Sequence, residues 1–286
     1  LYIEDGVDGW AAGDWEKIDT GVGITVTNTT PNGLATPTAA DVDRDGKADY
    51  IYAGDLRGNM WRFDVRSTNS NQWSQAANRK VVFTAKDSSG KAQPITARPT
   101  TGLHPASLAG YMVYFGTGQY LETTDATSAG STTQTFYGVW DDINGISGIA
   151  APSTRAGLLE QTVVGTPIIN GSDYRIISDN TMVWKVGATA PSPSYVGWYL
   201  DLPTLGERQV TSPLLRGSRA IFTTVIPSSD PCANGGEGWL MELDAESGGN
   251  LDYAALDING DGEFDSGDMI TFTQGGTTSI NAPAGV

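Results

Sequence analysis

The sequence of 286 residues predicts an all-β protein, on the evidence of its composition, its short strand-like runs and its lack of helical periodicity. Glycine contributes 36 residues, well above the average share of about 7%. Together with 14 prolines and many threonines, serines and asparagines, these glycines predict numerous tight turns. A hydrophobic content of 39% against 17% charged residues is typical of a folded core rather than of a disordered chain.

Short runs rich in β-branched and aromatic residues, each bounded by Gly, Asn or Asp, predict the strands. We expect nine of them, at residues 48–53, 60–65, 81–84, 111–116, 135–140, 174–178, 182–186, 220–226 and 239–243. Helical spacing is confined to residues 70–79 and 156–161, where we expect a turn or two at most.

A weak internal repeat connects these strands. Each copy has a Thr-Pro-like entry, a first strand, a turn with Gly, Asp or Asn, and a second strand that ends in an aromatic residue or Leu. The copies begin at Thr36-Pro37, Thr166-Pro167 and Ser212-Pro213, with a looser one at Arg98-Pro99. Units spaced by about 45 to 70 residues are typical of β-propeller blades. We therefore expect roughly four blades, as part of a larger ring.

The same pattern divides the chain into three parts. We expect an incomplete blade or N-terminal extension over 1–36, propeller blades over 37–250 and a C-terminal segment over 251–286. The chain starts without Met and without a signal sequence, so we expect a fragment, either of a processed longer precursor or of a longer chain that was cut. No run approaches the 18 or so apolar residues of a membrane span.

Charge excludes two classes of partner. With 33 acidic and 17 basic residues, the net charge is −16. Nucleic acids and anionic membrane surfaces are bound by clustered Lys and Arg, so neither is expected here.

The most informative motif is an acidic loop at residues 41–49. Side-chain oxygens at positions 1, 3, 5 and 9, a glycine at position 6 and a carbonyl at position 7 are what a calcium loop provides. The expected ligands are Asp41, Asp43, Asp45, the Lys47 carbonyl and Asp49. Four carboxylates so close together would repel one another without a cation, although a solvated acidic turn is the alternative. The flanks are predicted strands rather than the helices of an EF-hand.

A second loop of this kind lies near the C-terminus. Its candidate ligands are Asp257, Asn259, Asp261, Glu263, Asp265 and Asp268. Calcium suits both loops better than magnesium, which prefers strict octahedral geometry and retained water. Iron, copper and zinc would favour imidazole or thiolate ligands, and the chain has one histidine and one cysteine.

The sequence does not predict an enzyme. With only His104 and Cys232 available, we expect no Ser-His-Asp, Cys-His or two-histidine metal site within the chain. Paired-carboxylate catalysis remains arithmetically open, but no pair stands out. His104 is expected to be a surface or hydrogen-bonded loop residue. For Cys232, both a half-buried apolar role and a partner outside the chain remain open.

The loop region closely resembles the calcium-loop blade of the PilY/PilC family of type IV pilus biogenesis factors and tip adhesins. The matching run is Asp41-Val-Asp-Arg-Asp-Gly-Lys-Ala-Asp-Tyr-Ile-Tyr-Ala-Gly-Asp-Leu-Arg-Gly-Asn-Met-Trp-Arg-Phe-Asp64. Further matches follow in order at Gln93-Pro-Ile-Thr96, Val113-Tyr-Phe-Gly-Thr-Gly118, Gly197-Trp-Tyr-Leu-Asp-Leu-Pro203 with Gly206-Glu-Arg208, and Pro231-Cys-Ala-Asn-Gly-Gly236 leading to Trp239.

This resemblance implies a modified, quinoprotein-like propeller in the C-terminal part of a large exported protein. It also implies a location at the pilus tip or at the cell surface, associated with the outer membrane, with minor pilins as partners. The implied roles are pilus assembly, calcium-regulated extension and retraction in twitching motility, and adhesion. Contact with a host or abiotic surface would fall to an N-terminal module that this chain lacks.

Two other hypotheses about the function remain. A calcium-dependent quinoprotein dehydrogenase has similar blade endings, but it usually adds a vicinal disulfide, which one cysteine cannot form. A secreted carbohydrate-binding or dockerin-like scaffold would account for the second loop and for exposed tryptophans, but the paired helices of a dockerin are not predicted.

Overall fold

We analysed the fold in a computed structural model of the chain. It describes residues 2–4, 15–23, 31–127, 132–151, 153–228, 230, 236–274 and 277–286. Cys232 and most of the run 231–236 lie outside the described residues, so both interpretations of that cysteine stay predictions.

Strands dominate the described part of the chain, which contains no α-helix. The first ten strands are β1 (Tyr2–Glu4), β2 (Trp15–Lys17), β3 (Thr38–Ala40), β4 (Tyr50–Gly54), β5 (Asn59–Asp64), β6 (Arg79–Thr84), β7 (Thr100–Leu103), β8 (Tyr111–Gly116), β9 (Thr135–Asp141) and β10 (Leu159–Gln161). The others are β11 (Val163–Gly165), β12 (Ile168–Ile169), β13 (Ser172–Asp173), β14 (Ile176–Ile177), β15 (Gly197–Asp201), β16 (Leu214–Arg216), β17 (Arg219–Thr223), β18 (Leu240–Asp244), β19 (Ile270–Gln274) and β20 (Thr277–Asn281). Single 3₁₀ turns occur at Ser70–Gln72, Ala76–Asn78, Thr123–Ala126, Arg155–Gly157 and Ser266–Asp268.

The first large sheet is an antiparallel meander in the order β3-β4-β5-β6, which is the arrangement of a propeller blade. Asp55 fixes the tight β4–β5 turn. Its carboxylate accepts hydrogen bonds from the backbone N–H groups of Arg57 and Asn59 and from the indole N–H of Trp61, each at 2.9 Å. The turn also needs Gly58, whose φ of +82° favours a residue without a Cβ.

The second and third large sheets follow the same plan. The second has the order β10-β15-β9-β8-β7, antiparallel except for the parallel pair β10 and β15. The third has the order β16-β17-β18. The leading strands β3, β7 and β16 form the inner edges, where β7 contacts both β3 and β16. The three sheets are thus arranged side by side, as successive blades are around an axis.

The third sheet gains a further strand from residues 282–286. Leu240 and Val286 exchange backbone hydrogen bonds of 2.8 and 3.0 Å, and the Glu242 N–H donates to the Ala284 carbonyl at 2.8 Å. On its other edge this segment pairs with Arg175 through Gly285 and Ala284. The segment therefore joins the third sheet to the short strands around residue 175, which the sequence pattern did not predict.

Most predicted elements are confirmed in position. Seven of the nine predicted strands overlap β4, β5, β6, β8, β9, β17 or β18. The predicted strand 174–178 is reduced to the two residues of β14, and the strand predicted at 182–186 is wrong. There, Trp184 forms a single bridge to Tyr195, because Met182 and Trp184 pack their side chains onto the main core instead of joining a ladder. The second helical segment, 156–161, is a 3₁₀ turn followed by β10.

One large apolar core extends across the three sheets, and two smaller clusters accompany it. The second cluster packs Trp61 and Phe63 of the first blade against Trp73. The third joins Tyr174 and Ile176 to Ile258 and Ile270 near the C-terminus. None of the helices among the described residues has the length and apolar character of a membrane span.

Candidate calcium sites

The first acidic loop, residues 41–49, connects β3 to β4 at one end of the first blade. Its side chains fold back onto its own backbone. The N–H of Gly46 donates to Asp41 Oδ2 at 2.9 Å, and the N–H of Lys47 donates to Asp45 Oδ1 at 2.8 Å. Arg44 and Gly46 take left-handed φ values of 62° and 89°, which curl the loop tightly enough to aim several carboxylates at one point.

Three of the predicted ligands converge in this loop. Asp41, Asp43 and Asp49 each offer a carboxylate oxygen, and these oxygens lie within 4.8 Å of one another. Calcium–oxygen distances of 2.3–2.6 Å put two ligands across one ion about 5 Å apart, so a single cation would fit among them. Asp45 lies outside this group and forms an exposed ion pair of 3.5 Å with the Lys47 ammonium.

Asp41 also has a buried carboxylate oxygen, Oδ1. It accepts no hydrogen bond from the described residues, although it has no access to solvent. A buried anionic oxygen without a partner is costly. A bound cation would remove that cost, and the neighbouring carboxylates of Asp43 and Asp49 would bind the same cation.

The neighbouring blade contributes Tyr111, the first residue of β8. Its hydroxyl donates to the Asp41 carbonyl oxygen at 3.1 Å. Burial raises the pKa of Tyr111, and the carboxylates of Asp49 and Asp41 raise it further, so the phenol remains a hydrogen-bond donor. Sequence spacing alone could not identify this contact, because 70 residues separate the two partners.

The second acidic loop, residues 257–268, repeats the local hydrogen bonds of the first. The N–H of Gly262 donates to Asp257 Oδ2 at 3.0 Å, and those of Asp261 and Glu263 donate to Asn259 Oδ1 and Asp261 Oδ1 at 2.8 Å. Each bond has its counterpart at the same position of the first loop. Within the described chain, however, the acids of this loop do not form a second cluster as close as that of the first.

The hydrogen bonds also reveal which residue closes each loop. In the first, Asp49 accepts the N–H of Val42 at 2.5 Å. In the second, the equivalent N–H of Ile258 donates to Asp268 at 2.9 Å. Asp49 thus corresponds in geometry to Asp268, whereas spacing had aligned it with Asp265. Asp265 instead caps the 3₁₀ turn that follows, through the N–H of Gly267.

The second loop is attached to the body of the protein. Ile258 packs with Tyr174 and Ile176, and the Asn170 side chain donates to the Ile258 carbonyl at 3.0 Å. Burial opposes ionisation of Asp268. Backbone N–H groups at Asp265, Ile258 and Asn259 outweigh it and lower the pKa of Asp268. The closing carboxylate is therefore held charged at neutral pH, as a metal ligand must be.

Comparison with known proteins gives relatives for most of the chain. A family model described as the PilY1 beta-propeller domain matches residues 14–166. The type IV pilus biogenesis factor PilY1 of Pseudomonas aeruginosa PAO1 is 38% identical over 266 residues, which cover 82% of this chain and 22% of that protein. A PilY1 homolog of Xylella fastidiosa is 36% identical over 229 residues, which cover 76% of this chain and 14% of the homolog.

A solved structure agrees with these matches. The crystal structure of the P. aeruginosa PilY1 C-terminal domain superposes with a TM-score of 0.72 at 32% identity, over 92% of this chain and 56% of that one. The predicted all-β propeller fold is confirmed by this likeness and by the family match. The chain spans less than a quarter of the length of the curated relatives that it matches.

Proposed function

The chain belongs to the family of PilY1 β-propeller domains, and on that basis we propose that it is the calcium-binding propeller region of a type IV pilus tip-associated protein. In this proposal it supports pilus assembly and calcium-regulated extension and retraction at the cell surface. Other pilus components, minor pilins among them, are its partners, and adhesion involves parts of the protein beyond this propeller region. Its role is structural rather than enzymatic.

Two observations carry the calcium proposal: the carboxylates of Asp41, Asp43 and Asp49 converge, and Asp41 Oδ1 is buried with no hydrogen-bond partner among the described residues. Carboxylate and carbonyl oxygens are the ligands that calcium prefers. In the proposed site these three residues bind the ion directly, and the Lys47 carbonyl and Asp45 complete the shell once the loop tightens. The ion removes the repulsion among the carboxylates and holds β3 and β4 in register at that end of the blade.

Calcium also occupies the second loop in this proposal. The matching hydrogen bonds support it, since they present Asp257, Asn259, Asp261 and Asp268 in the same order as the first loop presents its ligands. The Glu263 carbonyl takes the place of the Lys47 carbonyl. Asp265 is an outer residue that shapes the loop rather than binding the ion directly.

The first site has a route to the neighbouring blade through Tyr111. A cation bound to the Asp41 carboxylate fixes the position of the Asp41 backbone carbonyl. This carbonyl accepts the hydrogen bond of the Tyr111 hydroxyl, and Tyr111 lies at the start of β8. Calcium therefore sets the relation between two blades as well as the shape of one loop. We propose that this junction is the means by which calcium affects the surface that other pilus components meet.

Isothermal titration calorimetry of the full chain tests the calcium proposal. Extracellular calcium modules bind at about 10⁻⁴ to 10⁻³ M, and we expect two sites in that range, with weaker binding of magnesium. Asp43→Asn should remove the first site, and Asp261→Asn should remove the second. Asp179→Asn, an exposed carboxylate outside both loops, is the matched control and should retain both.

A chain that takes up no calcium would refute the proposal. If Asp261→Asn still binds calcium at one site and Asp43→Asn binds none, calcium binds only to the first loop. The pilus role is tested in cells that produce the full-length protein with Asp43→Asn. There we expect normal secretion but fewer surface pili and smaller twitching zones. Unchanged piliation at all calcium concentrations would contradict a regulatory role.

A further inference from the structure

A polar cleft lies at the edge of the second blade, away from both acidic loops. It has a volume of about 280 Å³, and the described residues that line it lie near 91–94, 118–127, 132–134 and 206–208. Pockets for drug-sized ligands are about 300–1,000 Å³, so this one has room for a small ligand only. Several of the runs that resemble the pilus family border it, yet the proposed function gives it no task.

One residue that lines the cleft has a buried oxygen with no hydrogen-bond partner in the described part of the chain. Gln134 is 9% exposed, and its side-chain amide nitrogen donates to the Thr132 carbonyl and hydroxyl, both at 3.2 Å. Its carbonyl oxygen Oε1 is buried and accepts no hydrogen bond from the residues that the structure describes. Such an oxygen is unfavourable unless a donor reaches it, and the residue lines an open cleft through which a donor could enter.

The charged groups of Arg208 and Asp125 in the walls are already used within the protein. Arg208 donates to the carbonyls of Gln119 and Asp125 at 2.9 and 3.0 Å. The Asp125 carboxylate accepts N–H groups from Leu121 and Glu122 as well as the Gln119 amide. These bonds preform the walls and leave hydroxyl and amide groups as the principal contacts for a ligand. A ligand with many neutral donors and acceptors fits that chemistry better than an ion does.

The rim adds one further contact. The exposed Lys91 lines the cleft on one side and can donate to ligand oxygens.

From these contacts we propose that the cleft is a binding site for a neutral saccharide, one hexose ring deep. A sugar hydroxyl donates to Gln134 Oε1, and neighbouring hydroxyls accept from Lys91 and Thr124. This site is separate from the calcium loops and goes beyond the proposed pilus role. Its test therefore succeeds or fails independently of calcium binding.

Saturation-transfer NMR of the full chain with the methyl glycosides of glucose, galactose, mannose and N-acetylglucosamine tests the proposal. We expect at least one of them to bind with a millimolar dissociation constant, equally with calcium present or chelated. Gln134→Leu removes the buried acceptor and should weaken binding about 5- to 10-fold, which corresponds to one net hydrogen bond.

Lys91→Met and Thr124→Val change exposed side chains, so they report on binding even if Gln134→Leu unfolds. Each should weaken binding about 3-fold. Lys86→Met is the matched control, because Lys86 is an exposed lysine of the same turn that does not line the cleft, and it should bind as the unmodified chain does. The proposal is overturned if no glycoside binds, or if these variants bind the glycoside as tightly as the unmodified chain does. It is also overturned if only peptides compete for the cleft.

Discussion

Replacing Arg175 by Met should be among the most destabilising single changes in this protein. Arg175 and Glu207 are each 1% exposed and form two parallel hydrogen bonds of 2.7 Å. Thr204 and Thr224 add bonds of 3.1 and 2.8 Å to the pair. The change would leave the Glu207 carboxylate buried without a counter-charge.

The expected loss follows from that unpaired charge. Breaking one side of a buried ion pair costs about 3–5 kcal/mol, a large part of the 5–15 kcal/mol by which domains are usually stable. The Arg175 guanidinium also lies 4.1 Å from the centre of the Trp239 ring, and this contact would be lost too. Because the Arg175 backbone pairs with residues 284–285, the damage should spread to the strand that completes the third sheet.

Urea denaturation followed by tryptophan fluorescence measures this loss. The double change Arg175→Met with Glu207→Gln removes the stranded charge and should recover at least about 2 kcal/mol relative to the single change. Arg66→Met breaks a surface pair of 2.6 Å and should cost less than about 1 kcal/mol. If Arg175→Met costs no more than Arg66→Met, or if the double change is worse than the single one, the reasoning from burial is wrong.

Two further predictions concern stability. His104 is 3% exposed between Trp140 and Trp184, and burial lowers its pKa to about 4, against a smaller opposite effect of Asp142. The unfolded chain binds a proton at a higher pH than the folded chain does, so the free energy of unfolding falls as the pH drops from about 6.5 towards 4, by about 2 kcal/mol at pH 5. In urea titrations at pH 7 and 5, His104→Gln should lose this part of the pH dependence. A pH dependence that stays the same in the variant would contradict the prediction. Gly58→Ala should lower the free energy of unfolding by at least about 2 kcal/mol, because φ is +82° and a Cβ would lie 2.6 Å from the Ala85 carbonyl oxygen. Thermal unfolding measures this loss, with Gly90→Ala as the control. At Gly90 φ is +86° but the space around it is open, so this variant has the backbone strain without the clash.

The sequence predicted most strands of the blades because their signals are local. Apolar runs bounded by turn residues locate β4, β5, β8 and β9 without knowledge of their partners. The same rule failed at 182–186, where an apolar run serves the core through Met182 and Trp184 rather than a ladder. It also missed the inner strands β7 and β16, which are short and only partly buried.

The two acidic loops were identifiable from spacing, since alternate residues in a tight loop present their side chains to one side. Spacing could not tell which acid closes a loop, and it aligned Asp49 with Asp265 instead of Asp268. That choice depends on which carboxylate reaches the N–H of the second loop residue, Val42 or Ile258. Three extra residues in the second loop change the distance, so only the folded backbone decides it.

Sequence alone thus determined the all-β class, the blade-like repeat and the location of the acidic loops, because each is encoded within a few neighbouring residues. Tertiary structure decided what distant segments do to one another. The Tyr111 hydroxyl on Asp41, the buried pair of Arg175 and Glu207, and the partnerless Gln134 in its cleft all depend on how sheets pack. Burial and long-range contacts set the energies of these groups, and no local pattern specifies either.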